Sequence, residues 1–260
     1  MKPLQSPRRW EKFLWPILAF TFLLVAWYLA VRWSGTKVLP SPLEVKKGLA
    51  ELLQQHVLWG DIADSLRRVA IGFGLAAVLG IPLGLALGWY PQANQVINPV
   101  IQILRPISPI AWIPVSILFL GIGDHAATAL IFLGAFFPIV VSCVDGVNNV
   151  SSVFRRAGRN FGLSPFQLLG RVIFPAALPN ILVGLRIAFG IAWLVVVAAE
   201  MVAVDSGLGF LIIDSRNSGK RYDLVVAAML MIGIIGLALD YLFRSLERIR
   251  SVRWGFRHES

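Results

Sequence analysis

Six long apolar runs, a scarcity of charge and basic residues gathered on alternate loops predict an all-α polytopic membrane protein with about six transmembrane helices. Over 260 residues the chain is 57% hydrophobic and only 15% charged, with a mean hydropathy of +0.73. That balance lies outside the soluble globular norm. A helix needs about 20 apolar residues to cross the hydrocarbon. Runs of that size cover 13–31, 69–89, 99–120, 126–144, 180–204 and 224–243. No repeat or low-complexity tract divides the chain, so a single transmembrane domain is expected over 1–260.

Charge sets the orientation. With the N-terminus in the cytoplasm, the cytoplasmic segments collect Lys2, Arg8, Arg9, Lys12, Arg155, Arg156, Arg159, Arg171, Arg244, Arg248, Arg250, Arg253 and Arg257. Fewer basic residues, among them Arg32, Lys37, Lys46, Lys47, Arg216, Lys220 and Arg221, fall on the other side. The positive-inside bias therefore places both termini in the cytoplasm. It accounts for most of the net charge of +10 without nucleic acid.

Taken in order, the first run is longer than a signal-peptide core, and AVRWSGTK after it offers no cleavage site, so it reads as a retained span. In LPSPLEVKKGLAELLQQ, Ser41 can cap, Pro42 suits a first turn, and Leu43, Leu49, Leu52 and Leu53 form a stripe. A short surface helix is expected there. The second span carries Gly72, Ala76, Gly80, Gly84 and Gly88 at intervals of four, one helix face on which another helix can approach closely. In the third, ILRPISPIAWIPVSILF places Pro106, Pro109 and Pro114 together. Each proline removes a donor, which a spanning helix tolerates where neighbours or a cavity satisfy the freed carbonyls. The third span is thus expected to be bent and to line a cavity, with Arg105, Pro106, Ser108, Pro109, Trp112 and Pro114 as pathway candidates. Cys143, the only cysteine, reads as a packing residue.

Residues for bond chemistry are missing. The one Gly-Lys pair, Gly219-Lys220, lacks the rest of a P-loop, and His56, His125 and His258 have no metal-ligand spacing. No catalytic or metal site is expected, and any ATP must be handled elsewhere. Four charges inside or at the edges of spans are costly: Arg105, Arg186, Glu200 and Asp240. Arg105 and Asp240 are expected to snorkel or pair at the cytoplasmic edge. Arg186 lies two turns into the fifth span, and Glu200, near its outer end, is the candidate for a polar role in packing or an outer gate.

RRAGRNFGLSPFQLLGRVIFPAALP, residues 155–179, interrupts the apolar pattern with four arginines, three glycines and three prolines. Phe154, Ala157 and Phe161 fall on one helix face and Arg155 and Arg159 on the opposite one. Gly162 can end that helix, followed by Leu163; Ser164 can cap a second one starting at Pro165, and Pro175 and Pro179 then introduce the fifth span. Two short helices with an apolar knob and a basic rim read as a docking element for another protein.

The succession of LPSP, RPISPIAWIP, GLSPFQLLGRVIFPAALPNILVGLR and AAEMVAVDSGLGFLI over nearly the whole chain resembles the permease subunits of type I ABC importers, most of all the nitrate, sulfonate, taurine and bicarbonate family. Their cytoplasmic loop carries Glu-Ala-Ala, three residues, Gly, nine residues and I-x-L-P. Here Gly162 takes the glycine place and Val172, Phe174 and Pro175 the last three, while Arg156, Ala157 and Gly158 replace Glu-Ala-Ala.

The resemblance implies a multi-pass permease of the bacterial cytoplasmic (inner) membrane, working as a homodimer with two ABC ATPase subunits and an external solute-binding protein. ATP and Mg would be bound by the partner subunits and no cofactor by this chain. A coupling segment at about 150–175 would dock on the ATPase. The implied solute is a small anion of the nitrate, bicarbonate or sulfonate class; a thiamine-precursor or riboflavin-like solute is the alternative. A stand-alone channel or ion-coupled carrier would instead favour buried carboxylates along a spanning path.

Overall fold

The structure, a computed structural model, describes residues 11–35, 38–54 and 57–247. Lys2, Arg8, Arg9, Lys37, His56, Arg248, Arg250, Arg253, Arg257 and His258 lie outside the described residues. In chain order the helices are α1 (Glu11–Ser34), α2 (Pro42–Gln54), α3 (Val57–Trp89), α4 (Pro91–Leu104), a 3-10 turn (Pro109–Trp112), α5 (Ile113–Leu120), α6 (Asp124–Asn148), α7 (Ser152–Asn160), α8 (Pro165–Leu168), a π turn (Leu169–Ile173), α9 (Phe174–Ala203), α10 (Leu208–Asn217) and α11 (Tyr222–Glu247). Five stretches are long and apolar enough to cross a membrane: Ile17–Ser34, Leu58–Trp89, Asp124–Asn148, Pro165–Ala203 and Tyr222–Ser245. A sixth crossing would be the pair Pro91–Leu104 and Pro109–Leu120, bent by 83°.

The chain divides into two compact units, residues 1–58 with 212–230, and residues 59–211 with 231–260. In the first, α1 leaves Leu18, Phe20, Phe22 and Leu23 exposed, as a lipid-facing helix must. Helix α2 starts in a reciprocal cap: Ser41 N–H donates to Glu44 Oε2 at 2.7 Å and Glu44 N–H to Ser41 Oγ at 3.3 Å. Its buried line is Val45, Gly48 and Leu52, whereas Leu43 and Leu53 of the expected stripe are exposed. Gly48 explains the shift, because a Cβ there would meet the Asp223 carbonyl oxygen at 3.1 Å. Close backbone approach, rather than leucine content, picks the face. Arg221 joins this contact, donating to Glu51 at 2.7 Å and to Asp223 at 2.8 Å.

The second unit is organised around α6. The seam of α3 lies on it residue by residue: a Cβ on Gly72 would strike Ile131, on Gly80 Ile139, on Gly84 Cys143 and Val140, and on Gly88 Val147. Ala76 and Cys143 are fully buried. On another side, a Cβ on Gly184 of α9 would run into Ser142. Phe73, Phe189 and Phe243 meet edge-on and tilted, with centroids 4.6–6.0 Å apart, and tie α3, α9 and α11 together.

Three expectations change. The third apolar run is bent, as expected, but its first helix starts well before residue 99: α4 begins at Pro91, so most of the gap between the second and third runs is helical, and the chain turns sharply at residues 105–108. Pro106 and Pro109 supply the cause, since neither can donate to the preceding turn. The expected loop 205–223 contains α10. Pro175 does not start the fifth span afresh: helix runs on from Pro165, and the π turn Leu169–Ile173 widens the spiral just where the ring of Pro175 would clash with the carbonyl four residues back.

Candidate functional site

Three places carry the charges and breaks singled out above. The first is the segment 151–175. Ser151 Oγ accepts from Val153 N–H at the start of α7. At its end Gly162 takes φ +74°, Gly162 N–H donates to Arg159 O at 2.9 Å and Leu163 N–H to Gly158 O at 3.2 Å. This paired arrangement satisfies two last-turn carbonyls and needs a left-handed residue, which Gly162 provides. Ser164 then opens α8 with a capping box: Gln167 N–H donates to Ser164 Oγ at 3.4 Å and Ser164 N–H to Gln167 Oε1 at 3.0 Å, with Pro165 at the first position. Leu168 is buried beside Gly158, whose missing Cβ leaves its methyl room.

What this frame presents differs in part from the expected faces. Phe161 is 84% and Phe166 83% exposed, and Arg156 and Arg159 are exposed as well. Arg155 does not join that rim. It is half-buried and its guanidinium donates to the carbonyl of Val147 in the last turn of α6, a natural place for a cation because helix C-terminal carbonyls are unpaired and carry negative partial charge. Ala157 and Leu163 are half-buried, and Pro175 is exposed at the start of α9.

The second place is the far end of α9, where Glu200 is wholly buried. Arg68 of α3, 2% exposed, donates from Nη1 to Glu200 Oε1 at 2.8 Å and from Nε to Asp124 Oδ1 at 2.7 Å. It also reaches the carbonyl of Ser206 at 2.9 Å and its Oγ at 2.6 Å. Glu200 Oε2 accepts from Ser65 Oγ at 2.9 Å and Gly209 N–H at 2.9 Å. Two more amides find remote acceptors, Gly207 N–H on Asp61 Oδ1 at 2.9 Å and Leu208 N–H on Ser65 Oγ at 3.0 Å. The first amides of α10, which no helical carbonyl can satisfy, are thus capped from α3 and α9. Gly207, at φ +104°, is obligatory: a Cβ would strike the Glu200 carboxyl and sit 2.7 Å from Arg68. Sequence reading singled out Glu200 but not its partners Ser65 and Arg68, nor Asp124, which shares Arg68, and Asp61, which holds the Gly207 amide.

The third place is the break between α4 and α5. Arg105, Pro106, Ser108, Pro109 and Trp112 line a cavity of about 210 Å³ whose other wall is Leu133, Gly134, Phe137 and Pro138 of α6 with Ile187 and Ile191 of α9. Pro114 lies just beyond it in α5. Arg186 does not line this space; it pairs with Asp240 of α11 at 2.7 Å, and Asp240 also accepts from Arg244 at 2.8 Å. Asp240 therefore pairs as expected, whereas Arg105 is exposed with no carboxylate partner among the described residues.

Apolar helices long enough to cross a membrane, a proline-broken helix pair and a capped loop with projecting aromatics describe a helical membrane protein, and solved structures agree on the fold. A chain of the MetNI methionine ABC transporter, in inward-facing conformations, matches with a TM-score of 0.65 at 21% identity over 77% of this chain and 97% of that one. The protein belongs to the family of binding-protein-dependent transport system inner membrane components, which it matches over residues 78–251. It is 40% identical to a probable ABC transporter permease protein of Brucella melitensis over 240 residues, 92% of this chain and 96% of the relative. A nitrate import permease protein, NrtB, of Synechocystis is 36% identical over 90% of this chain and 88% of its own length. The taurine transport system permease protein TauC of Escherichia coli is 34% identical over 91% of each.

Proposed function

We propose that two copies of this chain form the translocation path of an ATP-driven importer for a small anionic solute, and that residues 151–175 dock on separate ATPase subunits which hold ATP and Mg. An external binding protein delivers the solute. The positive-inside bias supports a cytoplasmic position for both termini and for the docking segment, with the Glu200 end of α9 outside. The nitrate transport named for one relative supports a small anion as solute, and the taurine named for another shares with it an anionic oxygen-bearing group. The permease performs no bond chemistry; it offers two arrangements of one path, and ATPase contact that differs between them biases which is populated.

The observation that carries this reading is Phe161 and Phe166, 84% and 83% exposed on locally capped turns, in a segment whose Arg156 and Arg159 are exposed too. Large aromatics held out on a charged loop mark a protein-binding surface. Phe161→Glu and Phe166→Glu each leave the fold within about 0.5 kcal/mol, since neither side chain is buried in this chain. Losing one buried aromatic contact with a partner costs roughly 1.5 to 3 kcal/mol, an affinity loss of about 10- to 100-fold. The measurement is co-purification with the ATPase subunit and ATP-dependent uptake in proteoliposomes. Wild-type assembly and uptake in both variants would defeat the docking role.

A further inference from the structure

We infer that the cavity at the α4–α5 break is a binding station for a simple oxyanion, with Arg105, Ser108 and Trp112 as its donors. The inference deepens the importer reading above and rests on it. It starts from a contrast among arginines. In α3 and α9, Arg67, Arg68 and Arg186 each sit on a carboxylate, at Asp124, Glu200 and Asp240. Arg105 has none among the described residues and lines a cavity of about 210 Å³ instead. A cation in the crossing region with no counter-ion is costly, and such residues mark ion and substrate paths.

The neighbouring polar groups point the same way. Ser108 stands at the N-cap of the 3-10 turn, yet its hydroxyl caps nothing. The Trp112 indole N–H, unlike that of Trp193, which donates to the Ile232 carbonyl at 3.3 Å, has no acceptor among the described residues. One guanidinium, one hydroxyl and one indole N–H thus share a space otherwise walled by aliphatic and aromatic groups. Such a set suits the oxygens of a planar or tetrahedral oxyanion, because a guanidinium, a hydroxyl and an indole N–H all offer hydrogens to acceptor oxygens and the charged donor makes the stronger bond. No aspartate or glutamate lines the cavity. The ammonium of an aminoalkanesulfonate therefore finds no counter-charge from this chain, and the station favours oxyanions that carry no amine.

The test uses the full permease assembled with its ATPase in nanodiscs, without the external binding protein, whose own solute site would mask the station; import is followed separately in the complete assembly. Binding of radiolabelled ethanesulfonate is competed with unlabelled nitrate, bicarbonate, taurine and, as salt control, chloride. Nitrate, bicarbonate and ethanesulfonate should compete at similar concentrations and taurine roughly tenfold less well, the worth of one unmatched charge. Arg105→Gln should weaken binding about tenfold or more, Arg105→Lys should retain most of it, and Ser108→Ala and Trp112→Phe should each lose a part. Should Arg105→Gln fail to assemble, the graded losses in the last two variants and the retention in Arg105→Lys still decide. Taurine or chloride competing as well as nitrate overturns the station. If an oxyanion is imported but none binds, or Arg105→Gln binds normally, the station falls and the importer reading stands. If a neutral solute is imported and no oxyanion is, both fall.

Discussion

The two ends of α9 are fixed in opposite ways. At its C-terminal end Glu200 is buried and its partners lie 132 and 135 residues away in sequence, at Arg68 and Ser65. At the other end, the turns leading into α9 are closed by neighbours within five residues, and their aromatics face out. One end uses its polar groups to hold α3, α6, α9 and α10 together. The other holds itself with backbone caps and leaves its side chains free for something else. A mutation should therefore cost the first end fold stability and the second end function.

Arg68→Ala tests that contrast with the largest expected effect. It strands Glu200 and leaves the Ser206 carbonyl unpaired, and breaking a buried pair from one side costs about 3–5 kcal/mol. Thermal unfolding in detergent should show it, and the double variant Arg68→Ala/Glu200→Ala should lose less than the two single losses summed. A loss below 1 kcal/mol, on the order of a surface pair, would show the network to be ornamental. Ser164→Ala probes the other end. It removes one local cap, worth about 1 kcal/mol, so unfolding should hardly move while ATPase docking weakens through a looser α8. Equal destabilisation by the two variants would erase the contrast.

The smallest effect is one of pH, at the surface cap of α2. Hydrogen bonds from Ser41 N–H and Oγ hold the Glu44 carboxyl below its ordinary value of 4.5. A carboxyl depressed in the folded state contributes above its unfolded value, and the contribution is lost as pH falls through the lowered one. Amide exchange in the first turn of α2 should therefore quicken below that range, and Ser41→Ala should flatten the dependence. No change in exchange with acid would remove this cap from the account.

Features written within a few residues were legible in the sequence. The interval-of-four glycines gave the α3 seam, the three prolines gave a bent third crossing, and Gly162 and Ser164 gave their turn and cap, because each acts on its own backbone. Partners set by tertiary register were not. Glu200 could be named as a costly charge, but nothing in the chain's order says that Arg68, rather than Arg67 beside it, faces inward. Helix α10 was hidden for the same reason, its first amides being capped from other helices. Arg155 misled because charge ordinarily faces water: here the aromatics mark the exposed side, and the arginine turns in to a helix end. The leucines of α2 misled because Gly48, without a side chain, chose the contact.

The glycine ladder between α3 and α6 has a mechanical meaning. Where Gly72, Gly80, Gly84 and Gly88 meet Ile131, Ile139, Cys143 and Val147, no side chain of α3 intervenes that could switch rotamer and let one helix slip past the other. A shift along the seam would drive Cα against Cβ at four levels at once. The two helices form a single strut, and any hinge of this unit must lie off that seam, where the 83° corner between α4 and α5 interrupts the helical ladder.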